Sequence, residues 1–79
     1  MKATVVIDTI DKIKEFVNVA MSSKLETIDV KSGRFTVDAR SIMGIFSLNV
    51  SEPVEVVVEN GNDTDIEEFF NAIKKFVVK

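Results

Sequence analysis

The side chains that usually carry chemistry are few in this sequence. The 79 residues include no His and no Cys, so the commonest general base, the usual metal ligand and every thiol reaction are missing. Tyr and Trp are absent too. Carboxylates are plentiful but do not converge. Glu55 and Glu59 share one face of a Val-rich segment, and the acidic run from Asp63 to Glu68 fits the start of a helix. No Gly-rich phosphate loop and no aromatic-basic interleaving occurs. The hydroxyl that stands out is Ser41. It heads the short apolar run Ile42-Met43-Gly44-Ile45-Phe46-Ser47-Leu48 and suits an N-cap. Lys12 could hold an anion where a helix begins, although a solvated lysine is the simpler reading. With no nucleophile beside a base, the chain reads as a non-enzyme with no cofactor and no metal.

These residues need elements to position them. Thr4-Val5-Val6-Ile7 is a β-branched strand. Asp8 or Thr9 caps a helix whose stripe is Ile10, Ile13, Phe16, Val17, Ala20 and Met21. Leu25–Val30 forms a second strand, Ser32-Gly33 a tight turn, and Phe35 and Val37 lie on a third strand. Ser41 to Leu48 reads as a short second helix, weakened at Gly44 by up to about 1 kcal/mol. Pro53 opens a fourth strand with Val54, Val56 and Val58 on one face. Asn60-Gly61 turns the chain, Thr64 with Glu67 gives a capping box, and Ile66, Phe69, Phe70, Ile73, Phe76 and Val77 stripe a third helix. Lys74 and Lys75 fall at its end.

The resulting βαββαβα order predicts a single α+β domain over residues 1–79. It is a two-layer sandwich with helices on one face of an antiparallel sheet. The order alone does not separate this fold from ferredoxin-like ones. A net charge of −3 with scattered basic residues argues against nucleic acid. With no apolar run long enough for a bilayer, the chain reads as a cytoplasmic protein without membrane insertion.

From Phe35 onward the sequence resembles the HPr family of the bacterial phosphoenolpyruvate:sugar phosphotransferase system. Residues 40–48 follow that family's regulatory pattern, (K/R)-S-I-M-G, two apolar residues, then S-L. The resemblance implies a four-stranded sheet of order 1-4-2-3 with three helices on one face. It also implies a phospho-accepting His before the first helix, an Arg two residues later, and a Pro opening that helix. Counted back from Ser41, those positions hold Ile10, Lys12 and Ile13. No phosphoramidate can form there.

By the same resemblance, Ser41 corresponds to the serine that HPr kinase/phosphorylase phosphorylates in Gram-positive relatives. A phosphate there would meet free N–H groups at a helix start, with Arg40 as neighbouring cation. Ile42, Met43 and Phe46 correspond to partly exposed residues that dock protein partners, which are phosphotransferase-system components, the kinase and a transcriptional regulator. The expected function is that of a histidine-free, Crh-like regulatory or adaptor module in carbon catabolite regulation, acting through Ser41 and this patch. The alternative is a degenerate paralogue that binds partners without phosphorylation, with Ser41 a mere cap.

Overall fold

The computed structural model describes residues 1–78. Four strands, β1 (Lys2–Val5), β2 (Asp29–Ser32), β3 (Phe35–Asp38) and β4 (Val54–Val57), form one antiparallel sheet of order β1-β4-β2-β3. The helices are α1 (Ile10–Ser22), α2 (Ile42–Phe46) and α3 (Asp63–Ala72), followed by a 3₁₀ turn at Lys74–Phe76. The sheet order is the expected one.

Period-2 alternation explains the layering. Val54 and Val56 are buried while Glu55 and Val57 are half-buried on the opposite face. Val56 stands between Ala3 of β1 and Val30 of β2. On the helix layer, Ile13, Phe16, Val17 and Ala20 of α1 pack with Phe69, Ile73 and Phe76. The rings of Phe69 and Phe76 meet Phe16 edge-on, at centroid distances of 6.4 and 6.2 Å. No polar side chain is buried among the described residues.

The Gly33-Arg34 loop joins β2 to β3, and only Gly33 has a positive φ (58°), as a type II′ turn requires. Gly61 is glycine for a different reason. At φ 142° it lies so close to Leu25 that an added Cβ would come within 2.5 Å of Leu25 Cδ2.

Several elements differ from expectation. β1 is Lys2–Val5 rather than 4–7, because Val6 and the C-terminal segment pair instead, Val6 N–H donating to Phe76 O at 2.9 Å. β2 begins at Asp29, so Leu25 is buried from a loop rather than from a strand. Ile10 and Met21 are exposed, since they lie at the two ends of α1 beyond the sheet-covered part of its stripe. α3 stops at Ala72, and Lys74 and Lys75 fall in the 3₁₀ turn that lets Val77 bridge to Val5.

The helix start also moved. Asn62, not Thr64, is the N-cap of α3. Its Oδ1 accepts from Asp65 N–H at 2.8 Å, and its Nδ2 donates to Asp65 Oδ2 at 3.0 Å. The Asn62-x-x-Asp65 pair has the same spacing as Thr64-x-x-Glu67 and wins two residues upstream. Asn62→Ala is expected to lower stability by about 1 kcal/mol and Thr64→Ala by far less, read from urea denaturation midpoints.

Candidate functional site

The segment from Asp38 to Leu48 is built as a turn, a cap and barely more than one helical turn. Asp38 Oδ1 accepts from Arg40 N–H at 2.7 Å, and its carbonyl accepts from Ser41 N–H at 3.0 Å. This is an Asp-initiated turn. Ser41 then takes extended backbone (φ −95°, ψ 100°), and its Oγ accepts from Gly44 N–H at 3.0 Å. Its carbonyl accepts from Ile45 N–H at 3.0 Å. The side chain is exposed.

Gly44 sets the spacing of this site. A Cβ there would lie 3.0 Å from Ser41 Oγ and 3.1 Å from Val37 Cβ, so glycine lets α2 lie against β3 while keeping the cap. Ser41→Ala is expected to lower stability by about 1 kcal/mol in chemical denaturation, the ordinary cost of losing such a cap.

The apolar neighbours divide as their helical positions dictate. Ile45 and Leu48 are buried in the core. Met43 is 76% exposed and Phe46 44%, so both face solvent. Ile42 is less exposed than either. It is half-buried and packs against the core. α2 packs against α1, so Met43 and Phe46 rest on a supported element.

The Arg40 guanidinium makes no hydrogen bond to the unmodified Ser41 hydroxyl. It turns to the α1–β2 loop and donates to the carbonyls of Ser23 (3.3 Å), Glu26 (3.2 Å) and Leu25. It ties that loop to the entrance of α2.

Ile10 is the first residue of α1 and is 59% exposed. Lys12 donates from its backbone N–H to Thr9 Oγ1 and from Nζ to Asp8 Oδ1, at 3.1 Å each. That hydrogen bond holds the Asp8 carboxyl below its ordinary value of 3.8. A lowered carboxyl contributes in full above that ordinary value, and the pair's contribution is lost as pH falls from there through the lower folded-state value. Among the described residues, no hydrogen bond or ion pair joins Lys12 to Ser41 or Arg40.

No group of three or more His, Cys, Asp or Glu residues stands close enough to hold a metal among the described residues. A groove of about 390 Å³ runs between α1 and α3 beside Val19, Phe69 and Ala72, and none of residues 40–48 lines it.

Sequence reasoning missed Asp38, whose turn delivers Ser41 to its place. The signal was present, since Asp followed two residues later by a backbone donor is the usual Asp-turn pattern.

Comparison with known families decides what scaffold carries this site. The family described as "PTS HPr component phosphorylation site" matches residues 11–79. This chain belongs to the HPr family. Among solved structures, the fold is similar to HPr-C-His from Thermoanaerobacter tengcongensis. The TM-score is 0.75 at 28% identity, over 95% of this chain and 88% of that one. Comparison with curated proteins gives no match. HPr proteins are phosphocarriers of the phosphotransferase system. The HPr match here starts at Asp11, one residue past Ile10, and the chain has no His. No helix among the described residues is long and apolar enough to cross a membrane.

Proposed function

We propose that this HPr-family protein is a non-enzymatic regulatory or adaptor module. It acts through Ser41 and the apolar surface beside it rather than by carrying phosphate on histidine. The observation that carries this reading is an exposed Ser41 Oγ at the head of α2, flanked by solvent-facing Met43 and Phe46, in a chain without His.

The physical support is local. α2 has only five residues, so its dipole adds little, and the backbone N–H of Gly44 is what a phosphate ester on Oγ would meet. Arg40 is engaged elsewhere, so a phosphate would gain its guanidinium only by breaking bonds to three carbonyls. The expected effect of phosphorylation is therefore a new dianionic mark beside an apolar patch, which partners distinguish by charge. Met43 and Phe46 supply contact area, with methionine adapting its shape to the partner. The partners are proteins: an HPr kinase/phosphorylase, phosphotransferase-system components or a transcriptional regulator.

Incubation with HPr kinase and ATP tests the reading. Intact mass should rise by one phosphate, and Ser41→Ala should remove the gain. No gain in the wild type, or a gain that survives Ser41→Ala, contradicts it.

A further inference from the structure

The sheet has two edges, and they are treated differently. At β1 the C-terminal segment covers the outward groups. Val78 N–H donates to Thr4 O at 2.8 Å, and Val77 bridges Val5. At β3 no such cover exists among the described residues. Ala39 N–H donates to Ile28 O at 2.9 Å, which puts the odd-numbered residues of β3 in hydrogen-bonded pairs with β2. The N–H groups of Thr36 and Asp38 and the C=O of Thr36 therefore point outward.

The same hairpin has an acidic end and a basic end. Asp29 and Asp38 are directly opposed on the open face of the sheet, an unfavourable like-charge pair. Lys31 and Arg34 lie toward the turn. Neither Arg34 nor Asp38 takes part in an ion pair among the described residues. On the helix face, Phe35 is 69% exposed at this same edge, next to half-buried Val37.

We propose that β3 pairs antiparallel with β3 of a second copy of this chain, about a two-fold axis at Thr36. The register is Arg34 opposite Asp38, Phe35 opposite Val37 and Thr36 opposite Thr36. It matches the outward groups, because the two Thr36 residues exchange both hydrogen bonds and each Asp38 N–H donates to the C=O of Arg34 in the copy. Each Arg34 guanidinium meets an Asp38 carboxylate, twice by symmetry, and offsets the Asp29–Asp38 repulsion. Phe35 covers Val37 in the non-hydrogen-bonded pair, where side chains approach more closely. Parallel pairing would set like ends together, and a slip by two residues would leave one charge of each pair without its opposite. The two sheets become one of eight strands, and the free edge disappears.

Sedimentation equilibrium over a concentration series tests this. The wild type should dimerise. Thr36→Pro removes an N–H that faces away from β2, so the monomer should keep its melting transition while the dimer is lost. Arg34→Asp should weaken association at least about tenfold, and adding Asp38→Asn, which removes the new like-charge pair while an amide oxygen still accepts from Arg40 N–H, should restore part of it. A wild type that stays monomeric to millimolar concentration overturns the proposal. So does a dimer that survives Thr36→Pro, including one that Met43→Ser disrupts instead.

Discussion

Phe16→Ala is expected to lower the unfolding free energy by about 3–5 kcal/mol, the largest single effect in this molecule. Phe16 is fully buried, and its ring meets both Phe69 of α3 and Phe76 of the 3₁₀ turn edge-on. Truncation removes the transfer energy of the ring, opens a cavity and ends two edge-to-face contacts. A domain of this size buries only about 60% of the surface exposed in its unfolded chain, so it has little in reserve. At roughly 4–8 °C per kcal/mol, Tm should fall by at least about 12 °C. Phe16→Leu keeps most of the volume and should cost clearly less. A thermal melt that barely moves for Phe16→Ala would show that α1 and α3 do not share this core.

Arg40→Ala should lower stability by about 2 kcal/mol, more than any cap substitution. The guanidinium serves three carbonyls of one loop, and hydrogen bonds to a charged group contribute about 1.5–3 kcal/mol before allowance for solvent. Its partial exposure argues for the lower half of that range. Arg40→Lys should recover only part of the loss, because a single ammonium cannot reproduce the planar fork. Denaturation midpoints of the two variants check this. Equal stability of wild type and Arg40→Ala would contradict the tether.

That tether shows where sequence reading stopped. An Arg beside Ser41 along the chain reads as its electrostatic neighbour, yet its bonds run to residues 14 to 17 positions earlier. Only the folded path of the α1–β2 loop brings those carbonyls within reach. Ser41 itself was legible, because an N-cap is a local arrangement fixed by the residues that follow it. The exposure of Met43 and Phe46 came from the family resemblance rather than from the local sequence, and Ile42, grouped with them there, is less exposed because it packs against the core.

The fold was legible in the same uneven way. Val54, Val56 and Val58 declare the buried face of β4 through strict alternation, and Ile13, Phe16, Val17 and Ala20 declare that of α1. The ends of elements were less readable. Ile10 and Met21 continue the helical spacing but extend past the sheet. Val6 looks like strand, but its bond to the C-terminal segment decides its role, and Ile7 is buried beyond the end of β1. The α3 cap was contested by two signals of equal spacing, and the local bonds of Asn62 settled it.

The central claim is that an HPr scaffold here has lost the histidine relay and kept the serine site. One comparison tests it most directly. Two aliquots of the protein are weighed intact, one after incubation with enzyme I and phosphoenolpyruvate, the other after HPr kinase and ATP. The account predicts an unchanged mass in the first and one added phosphate, on Ser41, in the second. An acid-labile phosphate gained in the first aliquot, or no gain in the second, would contradict it.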